Sequence, residues 1–441
     1  MRYGNLFIAV SLVATLCCQQ LAAIDSLTVA ECVRLAMRNN RRLHAAMMRS
    51  EQSEARGAEA FSALLPTLKA TTGYTRLSDV PDFSITIPSY PRPQTMTLSE
   101  AIPNSYQVKV TLQQPLFVGN RLTSQHALQQ QAASAARQDL RAEQRDLALT
   151  VTNAYWALYQ AREVERVVED NVRQVESHLR DMENMVAQGM ATVNDRLKVR
   201  LQLSNAKLMR IDAANAARVA EIGLNNACGR PLDSPAILAS APDTAGGDDR
   251  NLGALQQQAA AARPELKALR ARAQAGRSGV SMARAGWYPQ LFGVANYAYA
   301  RPNQRIFPAK DRFDGTWDAG VLLSLDIWNW GATRHQVRQA RAQLAQAEDA
   351  LALAADGVSV EVNVAWLDCQ RCREKIAVTA DGVAQAQENF RTTDERFRNG
   401  LATNSDLLDA ENSLLQARLS HTRALVERQV AQARLAKAVG E

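Results

Sequence analysis

The sequence contains one pattern twice, and the two copies lie about 210 residues apart. Three short motifs recur in the same order. In the first and second copy they are NAYW at 153–156 and NVAW at 363–366, QGMATVND at 188–195 and NGLATNSD at 399–406, and ACG at 227–229 and AVG at 438–440. A repeat of this length is half a protein rather than one module of a solenoid. We therefore expect two pseudo-equivalent halves that stand side by side.

Residues 1–23 have the features of a secretory signal peptide: a short positive start, an apolar run, and small residues at the cleavage point. The run is too short to cross a bilayer, and no later stretch reaches the ~20 apolar residues that a spanning helix needs. We expect the mature chain to begin near Ile24 in a periplasm-like compartment. Lipid attachment at Cys17 or Cys18 stays open as an alternative.

Composition and motifs disfavour an enzyme or a nucleic-acid-binding protein. The net charge is +6, but basic and acidic residues alternate, as in 162–170, which is typical of a solvated helix face. The five histidines are scattered, with no H-E-x-x-H spacing, phosphate loop or nucleophile elbow. We expect no catalytic, cofactor or metal site, and no nucleic-acid partner.

Four cysteines remain after the signal peptide, which is too few for a disulfide scaffold in so long a chain. Cys369 and Cys372 have redox or metal spacing, but they lack a second pair and fall within a helical pattern. We interpret them as small residues one turn apart on a long helix.

The first copy predicts a helix, two strands and two further helices. Thr28 and Glu31 form a capping box that opens a helix to about residue 64, ahead of Pro66. Alternating apolar and polar residues predict strands at 68–75 and 106–113, separated by a polar loop from about 78 to 104. A turn is predicted from Pro115 to Gly119.

A long helix follows, because 121–187 contains neither proline nor glycine and keeps a helical period throughout. At 1.5 Å per residue it is a rod of about 100 Å. Gly189 suits its C-terminal cap, and Thr192 with Asp195 restarts a helix that runs to about 227.

The second copy predicts the same order of elements. It gives a helix at about 252–285, strands within 290–328, a long helix at 332–398 and a last helix from Thr403. The predicted organisation is therefore a first repeat at 24–230 with its hairpin at about 67–118, a linker at 231–251 that lies across the helices, and a second repeat at 252–441.

The hairpins favour a membrane pore. Strands of about ten residues match the height of a transmembrane barrel, but four strands cannot close one, since the minimum is about eight. Three copies would give twelve strands and a conducting lumen. Aromatic residues are expected at the membrane interfaces, namely Trp287, Tyr288, Trp317, Trp328 and Trp330. The other interpretation is that these are core aromatics of a soluble sheet.

The duplicated helix–hairpin–helix plan resembles the TolC family of outer-membrane efflux and secretion channels. The similarity includes LTVAECVRLA at 27–36, the G-x-A-T-x-x-D turns, QPLF at 114–117 and IWNWG at 327–331. It implies a mainly α fold with a small β part. As a homotrimer, it would form a 12-stranded outer-membrane β-barrel continuous with a periplasmic α-helical barrel. The implied partners are outer-membrane lipid, a periplasmic adaptor (membrane fusion) protein and an inner-membrane pump of the RND, ABC or MFS type.

The resemblance also implies roles for single residues. The adaptor-facing periplasmic turns would comprise Gly189, Thr192, Asp195, Gly400 and Thr403, and the pore constriction would comprise Asp406 and Asp409. Asp406 also suits helix capping with Thr403, so Asp409 is the better selectivity candidate; its counterpart in the first copy is Lys198.

Two positions depart from the family pattern. Ala402 stands where some members have a basic residue that locks the entrance, and Phe397 stands where an aromatic hydroxyl would otherwise bond. Phe397 therefore suggests packing rather than a polar latch.

Two competing functions stay open at this point. The first is a soluble periplasmic coiled-coil scaffold without channel activity, whose hairpins pair with another protein. The second is a catalytic or nucleic-acid-binding helical protein, which the signal peptide and the missing sites disfavour. The transported substrate does not follow from the sequence, because the pump mostly selects it.

Overall fold

The computed structural model describes residues 26–79, 81–243 and 250–441. The predicted signal peptide, with Cys17 and Cys18, and part of the predicted linker lie outside the described residues. The chain forms two compact units. Of the described residues, those up to Met47 and those within 139–265 and 354–441 form a helical unit. Those within 48–138 and 266–353 form a unit that holds the main sheet.

The described helices and strands follow one another in a duplicated order. They are β1 (Ser26–Leu27), α1 (Val29–Asn39), α2 (Arg41–Ser62), β2 (Thr67–Arg76), β3 (Phe83–Ile87), β4 (Gln94–Ser99), β5 (Asn104–Phe117), α3 (Arg121–Ala187), α4 (Val193–Cys228), β6 (Ile237–Leu238), α5 (Leu252–Ala262), α6 (Pro264–Arg284), β7 (Gln290–Arg301), β8 (Asp314–Ser324), α7 (Ala332–Arg398) and α8 (Asn404–Val439). The predicted mainly α class with a small β part is confirmed.

The main sheet joins the two repeats. Its strand order is β2-β5-β7-β8, and every neighbouring pair is antiparallel. Each predicted hairpin is present, and β5 additionally pairs with β7 across the repeats. Strand β5 extends to Phe117, so the turn that we predicted from Pro115 begins about three residues later, and the pairing with β7 shifts register near Pro115.

The predicted polar loop at 78–104 is wrong in part, because it contains a further hairpin of β3 and β4. Phe83, Ile85 and Ile87 alternate with polar residues in β3, and Thr86 hydrogen-bonds Thr95 across the pair. The many Ser, Thr and Pro residues around this short alternation hid it in the sequence.

The predicted helices at 28–64 and 252–285 are each broken in two. At the first break, the Asn40 side chain accepts hydrogen bonds from the amides of Arg42 (2.8 Å) and Leu43 (3.2 Å), and so caps α2. At the second break, Arg263 is extended before Pro264, which opens α6. Proline disfavours helix in the residue before it and suits the first helical position.

The two long helices match their predicted bounds, and each has 67 residues. Among the described helices, only α7 is long and apolar enough to cross a membrane by length and composition, whereas we expected no such stretch after residue 23. A single helix of this kind is weak support for a span, because an apolar stripe also serves to pack one helix against another.

The helical unit has a buried apolar core that contains Tyr155 together with residues of α1, α3 and α4. The Tyr155 hydroxyl donates to the Leu27 carbonyl (3.1 Å) and accepts from the Ser240 amide (2.8 Å). Strand β6 pairs in parallel with β1. These bonds hold Leu27 and the described part of the linker against Tyr155 of α3.

Candidate functional site

The register of the main sheet separates an apolar face from a polar one. On the apolar face, Ala70, Val110, Tyr297 and Trp317 form one row across all four strands. This face is uncovered in the protomer: Leu68 is 73% exposed, Trp317 76% and Val321 67%. A soluble sheet buries its apolar face and exposes the polar one. The sheet therefore requires an apolar medium or a partner on this face.

The polar face carries a hydrogen-bonded ladder across three strands. The Thr111 hydroxyl donates to the Asn296 side chain (2.9 Å), and the Asn296 amide donates to Asp318 (2.8 Å). Arg305, in the loop after β7, also donates to Asp318 (2.5 Å). Charged groups on this face can be accommodated by water but not by hydrocarbon, so it suits an aqueous lumen.

The sheet has two open edges. In the described residues, β2 pairs only with β5 and β8 pairs only with β7, which leaves a row of backbone donors and acceptors on each outer side. Such edges pair readily with another chain and are excluded from lipid unless the sheet closes. The two edge strands also carry exposed apolar side chains. Several copies of this sheet can therefore pair edge to edge and form a closed barrel in lipid.

The predicted interface aromatics lie at the ends of the sheet or on it. Trp287 and Tyr288 precede β7, Trp328 and Trp330 follow β8, and Trp317 lies within β8. All five side chains are exposed, and the rings of Trp328 and Trp330 meet edge to face with centroids 5.7 Å apart. Exposed tryptophan is costly in water and favourable at a membrane interface. Their role at that interface stays a prediction.

The two predicted helical turns have the same local structure. Gly189 (φ 74°) and Gly400 (φ 70°) take the left-handed conformation that ends α3 and α7. Thr192 and Thr403 each form a capping box, with Asp195 and Asp406 respectively. The Asn404 amide donates to the Asp195 carbonyl (3.3 Å), so the turns of the two repeats are in contact.

The two predicted constriction residues lie on the first two turns of α8. The Asp406 carboxylate accepts from the Thr403 backbone amide (2.9 Å) and hydroxyl (2.7 Å), and these bonds lower the pKa of Asp406. The Asp409 side chain is exposed, one turn further along, and Lys198 is exposed at the equivalent place on α4. Asp406 thus has a capping role, whereas Asp409 projects into solvent. Their role as a constriction stays a prediction.

A buried polar pair lies beneath these turns, and the sequence did not indicate it. His178 Nδ1 of α3 lies 3.4 Å from Glu411 Oε1 of α8, and the side chains are only 3% and 1% exposed. Phe397 is also buried and packs its ring edge to face on His178, with centroids 5.5 Å apart. Phe397 therefore has the packing role that its missing hydroxyl suggested.

Glu221 is a second residue that the sequence did not single out. Its carboxylate accepts from Arg162 (2.9 Å), Arg218 (2.8 Å) and the Ala236 amide (3.0 Å). Burial raises the pKa of Glu221, but these donors outweigh it, and the net pKa is lowered. Its ion pair with Arg218, three residues away on α4, could have been read from the helical spacing.

A sequence model of the family described as outer membrane efflux protein matches residues 32–230 and 255–441. The outer membrane efflux protein BepC of Brucella suis biovar 1 (strain 1330) is 26% identical over 340 residues, which cover 76% of this chain and 72% of BepC. The proteases secretion protein PrtF of Dickeya chrysanthemi is 24% identical and covers 87% of this chain and 82% of PrtF. The pyoverdine export outer membrane protein OpmQ of Pseudomonas aeruginosa is 26% identical and covers 92% of this chain and 83% of OpmQ.

Solved structures share the fold. CusC superposes with a TM-score of 0.80 at 17% identity, covering 93% of this chain and 92% of that one. VceC of Vibrio cholerae superposes with a TM-score of 0.76 at 17% identity, covering 93% and 96%. At this identity the likeness concerns the architecture, and it extends over both repeats.

Proposed function

The chain belongs to the outer membrane efflux protein family, and from this premise we propose that it is the exit duct of a tripartite efflux or type I secretion system. It is an outer-membrane channel protein whose helical part stands in the periplasm. We propose that the duct conducts passively. Energy and substrate choice come from the pump.

The observation that carries this proposal is the inverted sheet. Its apolar face is uncovered, its polar face holds the Thr111–Asn296–Asp318 ladder, and both outer strands are unpaired on one side. In hydrocarbon each unpaired backbone group costs several kcal/mol, so an open sheet must close before it can lie in lipid. Closure by identical copies satisfies the edges and the apolar face together.

A homotrimer is the proposed assembly, since three four-stranded sheets give the twelve strands of a conducting barrel. The helices support it, because α4 and α7 each carry an exposed apolar stripe at helical spacing. The stripes comprise Val193, Leu197, Leu201, Leu208, Ile211, Val219 and Ile222 on α4, and Leu353, Val360, Val364, Leu367 and Val378 on α7. Their steps of three, four, seven, eight and eleven residues keep each stripe on one face of its helix, which suits side-by-side packing against helices of a neighbouring copy.

The turns at Gly189 and Gly400 are the proposed contact for a periplasmic adaptor, which joins the duct to an inner-membrane pump. Their capping boxes fix the turns, and the Asn404–Asp195 bond holds the two repeats in one surface. PrtF and OpmQ are named for proteases secretion and pyoverdine export respectively, so relatives of this chain differ in cargo. The inner-membrane pump determines the cargo that this duct exports.

Asp409 is the proposed constriction residue, with Asp406 as a capping residue that adds charge. Three copies of an exposed carboxylate around one axis would favour cations over anions. Lys198, on the equivalent turn of α4, would oppose this charge if both side chains face the same lumen. The balance of the two sets the selectivity of the open channel.

A matched pair of substitutions on β8 separates the channel from the soluble scaffold. Val321→Arg places a charge on the apolar face, and Gly320→Arg places it on the polar face, where a new Cβ meets no atom within 4 Å. Both sites are exposed in the protomer. A charge facing lipid costs about 2–4 kcal/mol at mid-membrane, whereas a charge facing the lumen costs little.

The expected result is loss of Val321→Arg from the outer-membrane fraction, with Gly320→Arg retained there and able to conduct in planar bilayers. Equal recovery of both variants as water-soluble periplasmic protein would support the scaffold and refute the duct.

A further inference from the structure

Two cysteines meet inside the helical unit. Cys32 lies in the first turn of α1 and Cys228 is the last residue of α4; both are fully buried and belong to one apolar cluster. The Cys32 thiol donates a hydrogen bond to the Cys228 sulfur. Residue Gly229, directly after α4, lies so close to α1 that a Cβ there would approach the Asn39 Cβ to 2.7 Å. The end of α4 is thus in tight contact with α1 next to Cys228.

The second repeat makes the same contact without thiols. Leu255 of α5 and Val439 of α8 occupy the equivalent positions and are both fully buried. Gly440 corresponds to Gly229, and a Cβ there would approach the Ala262 Cβ to 3.0 Å, where Ala262 corresponds to Asn39. An apolar pair therefore suffices for packing at this junction. The first repeat instead has two groups that can form a covalent bond.

We propose that Cys32 and Cys228 form a disulfide bond in the mature protein. An outer-membrane protein passes through the periplasm, an oxidising compartment in which disulfides form and persist. The bond would join α1 to the end of α4. It would close residues 32–228 into a loop that contains β2, β5 and α3. Cys369 and Cys372, both on α7, would remain thiols.

The oxidation is a thiol–disulfide exchange with a dithiol–disulfide oxidant of the periplasm. The Cys228 thiolate attacks one sulfur of the oxidant disulfide, which forms a mixed disulfide and releases one oxidant thiolate. The Cys32 thiolate then attacks the Cys228 sulfur, forms the Cys32–Cys228 bond and releases the second oxidant thiolate. Two protons and two electrons leave the cysteines, and the oxidant becomes a dithiol.

In the packed unit the hydrogen bond from Cys32 lowers the pKa of Cys228, and Arg230 lowers it further against the effect of burial. The same bond raises the pKa of Cys32. Arg230 is two residues from Cys228 in the chain, so its positive charge is close to the Cys228 thiol before α1 docks as well, which favours Cys228 as the first nucleophile. Because both sulfurs are buried after packing, the exchange takes place while α1 docks, and a polar reductant reaches the finished bond only after the unit opens.

Peptide mapping tests the proposal on the full chain extracted from outer membranes in detergent, with N-ethylmaleimide present and reductant absent. The expected result is a cross-linked pair of peptides that contain Cys32 and Cys228, which separates after reduction in denaturant. After denaturation without reductant, Cys369 and Cys372 should carry the maleimide; denaturation is needed because Cys372 is buried. Full maleimide labelling of Cys32 and Cys228 in the denatured, unreduced protein would overturn the proposal.

Two double variants give an independent readout that does not depend on the mapping. On a denaturing gel without reductant, the closed loop should make the wild-type chain migrate faster than the reduced chain. Cys32→Leu with Cys228→Val, which copies the second repeat and preserves apolar packing, should abolish this mobility shift. Cys369→Ala with Cys372→Ala should retain it. A shift that follows the second pair, or is absent from the wild type, would contradict the proposed bond.

Discussion

The buried pair of His178 and Glu411 provides the sharpest stability prediction. It joins α3 of the first repeat to α8 of the second, beneath the turns that we propose for adaptor contact. In the described part of the chain, Glu411 Oε2 and both ring nitrogens of His178 have no hydrogen-bond partner within normal limits. The 3.4 Å contact between His178 Nδ1 and Glu411 Oε1 is therefore the polar interaction that a substitution at either residue would remove.

The expected change in the free energy of unfolding follows from this contact. Glu411→Ala removes the carboxylate that lies 3.4 Å from His178 Nδ1 and leaves the buried ring without this polar neighbour, which should cost about 1–3 kcal/mol. Replacing both residues by leucine removes the polar groups together. The cost should then be near zero, since replacing both partners of a buried polar pair by apolar side chains can be neutral or stabilising. The two single substitutions should thus be strongly non-additive.

The assay is unfolding in guanidinium chloride, followed by far-UV circular dichroism on the detergent-solubilised protein. The shift of the midpoint multiplied by the slope gives the change in free energy of unfolding. Glu388→Ala is the control, because Glu388 forms a surface pair with Arg391 on α7 and is well exposed. It should change the midpoint little. A Glu411→Ala midpoint equal to that of the control, or a double variant that costs the sum of its singles, would refute the reasoning.

Three further predictions concern single residues. Glu221→Gln should cost about 2 kcal/mol at neutral pH, because a carboxylate that accepts three hydrogen bonds loses its charge. The folded pKa of Glu221 lies below its usual 4.5, so this contribution is present above that pH and is lost as pH falls through the folded pKa. The denaturant midpoints of the wild type and of Glu221→Gln should therefore converge in acid. A difference that stays constant with pH would contradict this role of Glu221. Asp409→Ala should reduce the cation-to-anion permeability ratio in planar bilayers by about twofold or more, and Lys198→Ala should increase it; unchanged reversal potentials would remove Asp409 from the constriction. Gly229→Ala should destabilise more than Gly189→Ala, because both positions have positive φ but only Gly229 meets a neighbour, at 2.7 Å. Equal thermal midpoints would show that the contact with Asn39 relaxes without cost.

The long helices could be predicted from the sequence because their signals are local. An uninterrupted period without proline or glycine defines 121–187 and 332–398, and the capping boxes at Thr28, Thr192 and Thr403 follow from residue types three positions apart. Each depends only on neighbours in the chain.

The features that the sequence did not reveal depend on distant contacts or on weak local signals. The β5–β7 pairing and the His178–Glu411 pair join the two repeats, and no periodicity within one helix or strand indicates its partner. The break at Asn40 lies inside a continuous apolar period, where one side chain that caps the next helix is a weaker signal than the period.

The residues of the candidate site show the same difference between local signals and distant contacts. Aromatic residues at strand ends and glycines at turns were found from local pattern, whereas the roles of Glu221 and Tyr155 depend on their contacts with the linker.

The central claim is that the inverted four-stranded sheet closes only with other copies in lipid. Native mass spectrometry of the protein extracted from outer membranes in detergent measures the copy number directly. We predict a particle of three chains. A single chain that remains monodisperse in buffer without detergent would contradict the account, because the exposed apolar face and both open edges of the sheet would then be stable in water.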